Sequence, residues 1–235
     1  MMNQNALIGM DVERLFKNSI GHHNEVLDAL RLHFGIQGVY AKSFSTGTDA
    51  GKSDVIVRFT DATLSANIKA YKTGFNQLTR TTISSFCREF NIGQLQKLFE
   101  EGAVRVAGKL GRFILASDET AIIEAISPLA RDIVHFSLAR MENPELLVLY
   151  NRTTNVMHLY DMKDLLDNLD YEVTISGRGV IKIGKFITIQ RKGGNGVHST
   201  HIPKSSLAHP GNNLQVKMKV GTFVLDTAPI VAYAP

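Results

Sequence analysis

Lys52-Ser53-Asp54-Val55-Ile56-Val57-Arg58-Phe59 and, after Thr60-Asp61-Ala62-Thr63, Leu64-Ser65-Ala66-Asn67-Ile68-Lys69-Ala70-Tyr71 are the two runs whose reading decides the fold. Val55, Val57 and Phe59 alternate with Asp54, Ile56 and Arg58, and Leu64, Ala66, Ile68 and Ala70 alternate with Ser65, Asn67, Lys69 and Tyr71. That period of two predicts two strands of a hairpin, each with distinct faces. A four-residue loop over 60–63 pairs Phe59 with Leu64, which sets Asp54 opposite Lys69 with Asn67 diagonal to it. Such cross-strand neighbours lie within roughly 4.5–8 Å of one another.

A carboxylate, an amide oxygen and an ammonium are thereby predicted to converge. Hard oxygen ligands suit Mg²⁺, and a cation nearby orients or deprotonates water at a phosphodiester. The spacing resembles the PD-(D/E)XK nuclease motif, an acidic residue at a strand bend followed on the next strand by acid-X-Lys. Here the elements are Ser53-Asp54 and Asn67-Ile68-Lys69, with a neutral amide where most of the superfamily has a carboxylate.

Outward from this hairpin the chain reads as helix and strand in mixture. Residues 11–34 carry apolar stripes at Val12, Leu15 and Phe16 and, past Gly21, at Val26, Leu27, Leu30 and Phe34, with Gly35 as a stop. Glu25 is on the second of these pieces. Residues 78–99 read as two helices, 103–116 as a strand or hairpin around Phe113-Ile114-Leu115, and 118–126 and 129–141 as helices. Leu146–Tyr150 and Asn155–Tyr160 read as paired strands, Asp161 as the cap of a short helix, and 171–175 as a strand.

With 44% hydrophobic and 20% charged residues in 235, the chain has the composition of a globular protein. No repeat or linker marks a second domain. The lone Cys87, on an apolar stripe, excludes an intramolecular disulfide and offers no cysteine cluster for zinc. There is no run of transmembrane length and no secretory signal, so a cytoplasmic setting is expected. The net charge of +4 is unevenly spread: from Val173 to Leu225 there is no Asp or Glu but there are Arg178, Lys182, Lys185, Arg191, Lys192, Lys204, Lys217 and Lys219. Such a block favours a polyanion. Within it, 176–196 mixes β-branched residues, cations and the flexible Gly193, Gly194 and Gly196. Gln and Arg forks read base edges, and Lys suits phosphates.

With these blocks in hand the chain resembles the type II restriction endonucleases of the HinP/Msp type, small PD-(D/E)XK enzymes that cut four-base-pair GC-rich palindromes, and is most similar to the GCGC cutter. The resemblance rests on Lys52-Ser53-Asp54 with Asn67-Ile68-Lys69, on Gly74-Phe75-Asn76-Gln77, and on Arg178-Gly179 through Thr188-Ile189-Gln190-Arg191-Lys192-Gly193-Gly194, with an echo in Asn213–Lys217. It implies an α/β (α+β) fold: one restriction-endonuclease-like domain over 1–235, a central mixed β-sheet flanked by helices, with 173–225 as the DNA-recognition region. Asp54, Asn67 and the Ile68 position would hold Mg²⁺, Lys69 would act on the attacking water, and a helical Glu, here Glu25, would face the metals. Phe75 and Gln77 would insert into or distort the duplex; Gln190, Arg191 and Lys192 would contact bases, with Arg178 and Lys217 also on DNA. The partners implied are double-stranded DNA and, in the same system, a cognate methyltransferase, for a monomer or homodimer. Residues 197–211, with His198, His201 and His209, are an insertion relative to the GCGC enzyme, and their spacing fits no common zinc site. The rival readings are a structure-specific repair or junction nuclease of the same superfamily and a non-catalytic DNA-binding regulator on a decayed nuclease core.

Overall fold

A computed structural model describes residues 4–46, 54–72, 74–139, 144–193, 199 and 201–235. In chain order its elements are α1 (Gln4–Ser19), α2 (Asn24–Phe34), β1 (Tyr40–Ser45), β2 (Val55–Phe59), β3 (Thr63–Tyr71), β4 (Asn76–Thr81), α3 (Ile83–Glu89), α4 (Gln96–Ala107), α5 (Glu119–Ile126) and α6 (Ala130–Leu138). There follow β5 (Glu145–Asn151), β6 (Val156–Asp161), α7 (Met162–Asn168), β7 (Val173–Ile175), β8 (Ile181–Ile183), β9 (Ile187–Arg191), β10 (Leu214–Met218), α8 (Val220–Asp226) and β11 (Val231–Tyr233). The fold class is the mixed α+β one that the alternation of elements predicts. The described residues form two compact units, one from 1–76, 138–168 and 220–235, the other from 77–137 and 169–219.

The first unit is built on a six-stranded mixed sheet in the order β1-β2-β3-β5-β6-β11. All its pairs are antiparallel except β3 with β5. Val55, Val57, Phe59, Leu64, Ala66 and Ile68 turn one face toward Val12, Phe16, Ile20, Val26 and Leu30 of the first two helical segments, forming one buried cluster. Burial of such side chains contributes about 1.5–3 kcal/mol each, so this face fixes which residues of the hairpin are left on the other. Gly35 ends α2 in the left-handed conformation at φ 66°, as its position predicts.

The second unit carries a five-stranded sheet in the order β4-β10-β9-β8-β7. Ile181, Ile183, Ile187, Ile189, Val216 and Met218 are buried on it. Phe86, Phe90, Phe99, Phe113 and Phe136 make a chain of ring contacts among its helices.

Three segments differ from the sequence expectation. Residues 78–81, read as the start of a helix, belong to β4, and Thr82 after it caps α3 by accepting from the Ser85 amide. Its β-branched Thr79 and Thr81 favour extended backbone. The expected strand around Phe113 is irregular: Phe113 and Ile114 are both buried and donate backbone hydrogen bonds to Arg178 and Gly179, while α4 extends to Ala107. The hairpin register also shifts. Phe59 donates to the Ala62 carbonyl, and the ladder runs Val55↔Ala66, Val57↔Leu64, Arg58↔Thr63. The loop is therefore two residues shorter than expected, and because the shift is even, no side chain changes face.

Candidate functional site

The shorter hairpin loop places Asp54, one residue before β2, against Asn67 rather than Lys69. Its amide donates to the Ala66 carbonyl at 2.9 Å. Its carboxylate Oδ2 accepts from the Ile68 amide at 2.6 Å. The physical reason is an accounting one. The β2 ladder stops at Val55, an uncovered strand N–H needs an acceptor, and Asp54 supplies it.

Asn67 lies one position along the sheet and is 1% exposed. Its Nδ2 donates to the Leu138 carbonyl at 2.8 Å, which fixes the orientation of the amide. Its Oδ1 is then buried with no hydrogen-bond partner. Leaving a buried acceptor unsatisfied costs about 1–3 kcal/mol, so this oxygen marks a place where a partner from outside the chain would be favourable. Lys69, two residues on, shares the Asn67 face and is half-buried.

A second acid joins them from α1. Glu13 is half-buried at the margin of the Val12–Phe16 stripe, and burial, reinforced by the Asp54 carboxylate, raises its pKa while Lys69 pulls it down. Glu13 therefore senses both the Asp54 carboxylate and the Lys69 ammonium. The helical carboxylate expected at Glu25 is elsewhere engaged: Glu25 is exposed on the first turn of α2 and contacts His23 Nδ1 at 3.1 Å. Its carboxyl is held below its ordinary value by its own backbone amide and then by His23. The sequence signal for Glu13 is an acid at the edge of an amphipathic stripe, three residues before the fully buried Phe16.

The donor set suits a hard divalent cation, with the carboxylates of Asp54 and Glu13 and an orphaned amide oxygen from Asn67. Among the described residues the other group of metal-capable side chains is His33, Asp161 and Asp164. There His33 Nε2 sits 3.0 Å from Asp161, whose other oxygen caps α7 through the Lys163 amide. Of the histidines at 198, 201 and 209, His209 is buried and accepts from the Gly211 amide at 3.0 Å.

Phe75 is exposed in the first unit, in the turn where Gly74 accepts from the Gly221 amide of α8. Gln77 is exposed on β4. In the second unit, Lys182, Thr188 and Lys217 stand in one row across β8, β9 and β10, and Gln190 faces Gln215 in the same parity. Arg191 falls on the opposite face, aligned with Leu214, and donates from Nε to Asn212 Oδ1 at 2.7 Å. Consecutive residues of a strand cannot present one surface, so the run Gln190-Arg191-Lys192 is divided between two. Arg178 is exposed on the 176–180 turn. Lys52, Ser53, Gly194, Gly196 and His198 lie outside the described residues.

No family model matches the chain, and no curated protein matches it. Among solved structures the chain is similar to the restriction endonuclease MspI in complex with its cognate DNA, with TM-score 0.50 and 11% identity over 89% of this chain and 83% of that one. At that identity the likeness is one of fold, and the fold is restriction-endonuclease-like.

Proposed function

We propose that the protein is a Mg²⁺-dependent type II site-specific deoxyribonuclease of the PD-(D/E)XK superfamily, HinP/Msp type, hydrolysing double-stranded DNA at a short GC-rich palindrome, GCGC. The observation that carries this reading is the meeting of Asp54, Glu13 and Lys69 beside an orphaned Asn67 oxygen, within a restriction-endonuclease-like fold. The solved relative was captured on its own cognate DNA. The acid-free block from Val173 to Leu225 supplies the matching charge here.

Bound by Asp54, Asn67 and Glu13, with the Ile68 position beside them, Mg²⁺ would polarise the scissile phosphate and acidify a water. Asp54 is pre-aimed, because its carboxylate is tied to the Ile68 amide and cannot swing away without orphaning that N–H. Asn67 is likewise locked through Leu138. Lys69 would hold the attacking water and steady the phosphate charge from the same face. Phe75 and Gln77 would press on the duplex, and Gln190, Lys192, Lys217 and Arg178 would bind it. The reading carries with it a cytoplasmic setting and a cognate methyltransferase.

Unmethylated phage DNA incubated with Mg²⁺ should yield discrete bands whose sequenced ends share one palindrome. Asp54→Ala should lose cleavage yet still bind duplex in Ca²⁺. A smear without a common end sequence would favour a structure-specific nuclease, and Mg²⁺-indifferent binding without nicking a regulator.

A further inference from the structure

The second unit contains a cavity of about 460 Å³ whose wall includes Arg112, Phe113, Arg178 and Arg191. Three arginines line it and no acidic residue does. Arg112 is fixed by contacts to Glu119 and, at 3.0 Å, to the Ser176 carbonyl. Arg178 is exposed, and its side chain has no partner among the described residues. The turn that carries it is rigid: Gly179 has φ +73°, and a Cβ there would meet the Ile114 amide nitrogen at 2.5 Å.

Arg191 is held at one end and open at the other. It lies on the Ile189–Leu214 face of the sheet, away from Gln190 and Lys217. Its Nε is held by Asn212, a residue 2% exposed whose Nδ2 donates to the carbonyls of Lys204 and Ser206 at 2.8 and 2.7 Å. The 201–213 segment is thus folded around Asn212, and Asn212 in turn fixes the guanidinium by one nitrogen. That leaves the two Nη groups as a preset fork. No carboxylate compensates this charge among the described residues, and burial lowers its pKa. A half-desolvated, uncompensated guanidinium favours an incoming anion.

We infer that this cavity is a phosphate-docking site, in which Arg191 and Arg178 grip a phosphoryl group and Asn212 is the positioning residue that presets Arg191. The inference rests on the DNA-cleaving reading for the identity of the ligand, a backbone phosphate of the duplex, and changes one residue's part in it: Arg191 anchors the backbone and does not read a base. A planar fork fits phosphate oxygens in pairs. A recessed cationic cavity receives a protruding phosphate more readily than a base edge lying flush in a groove.

The test is duplex binding by the full chain in Ca²⁺, with cognate and single-mismatch DNA, over roughly 50–250 mM salt, for wild type, Arg178→Gln and Arg191→Gln. The Arg178 side chain makes no hydrogen bond or ion pair among the described residues, and its backbone contact to Phe113 survives substitution, so its variant remains informative if Arg191→Gln is unstable. Each substitution should weaken cognate and mismatched binding by the same factor, about tenfold, and lower the slope of log K against log salt by about 0.9. Asn212→Ala should weaken both duplexes equally. A second arm titrates pyrophosphate into the protein without DNA, and Arg178→Gln should reduce that binding. Variants that keep the wild-type salt slope, or that erase the cognate preference instead, overturn the inference while leaving the nuclease reading intact. Wild type that fails to bind duplex yet binds pyrophosphate through Arg178 overturns the nuclease reading and leaves the phosphate site standing.

Discussion

Asn67→Asp puts a carboxylate where the proposed nuclease reading would expect one, and the structure gives its cost a sign and a pH window. Asn67 is 1% exposed, and its Nδ2 donates to the Leu138 carbonyl at 2.8 Å. An ionised aspartate there loses that donor, sets oxygen against oxygen, and is desolvated. Protonated, it can donate to Leu138 instead. Burial and this hydrogen bond both favour the neutral form, so the folded pKa lies above the unfolded value of about 3.9. Below that pH the acid is neutral in both states and the variant pays no pH-dependent penalty. As pH rises the unfolded chain releases its proton while the folded one keeps it, and stability falls by about 1.4 kcal/mol per unit until the folded pKa is passed. A shift of roughly two to three units, modest for a fully buried acid, costs about 3–4 kcal/mol by pH 7. Urea unfolding of the wild type and variant in EDTA, from pH 4 to 7, measures it, and Mg²⁺ should return much of the loss. A difference that stays flat with pH and below about 0.5 kcal/mol would show that position 67 is wet and the argument for its orphaned oxygen mistaken.

Other outcomes follow from the same geometry. Glu13→Gln should cut cleavage by about tenfold or more with Ca²⁺-supported binding retained, the scale of one positioned charged group, whereas Glu25→Gln should change neither, because Glu25 is spent on its own helix turn and His23. Since burial raises the Glu13 pKa, the metal-free wild type should lose stability as pH climbs from the unfolded value through the folded one; Glu13→Gln should therefore melt higher at pH 7, with the difference vanishing near pH 4. Gly179→Ala should destabilise the second unit by about 2 kcal/mol or more, combining a left-handed backbone with a clash on Ile114, readable as a fall in melting temperature. Cys87, buried and with its thiol pushed up to about 11, should resist alkylation at pH 8 until urea unfolds the chain.

Strand alternation over 54–71 was enough to assign faces. Burial rewards every second residue, so Asp54, Asn67 and Lys69 share the side away from Val55, Val57 and Ala66 with the two-residue loop as with the expected four-residue one. The same local logic gave the Gly35 stop, the Asp161 cap and the acid-free block from 173 to 225. Tertiary structure decided the rest, because it depends on neighbours distant in sequence. Which acid approaches the hairpin, Glu13 and not Glu25, is set by how two amphipathic helices lie against the sheet, and no periodicity within a helix contains that information. The orphaning of Asn67 Oδ1 needs Leu138, and the pinning of Arg191 needs Asn212, residues 71 and 21 positions away. The sequence determined which chemistry each strand can offer; the packing of remote segments determined which of those side chains are tied, which are left unsatisfied, and so where a metal or a phosphate would be most favourably received.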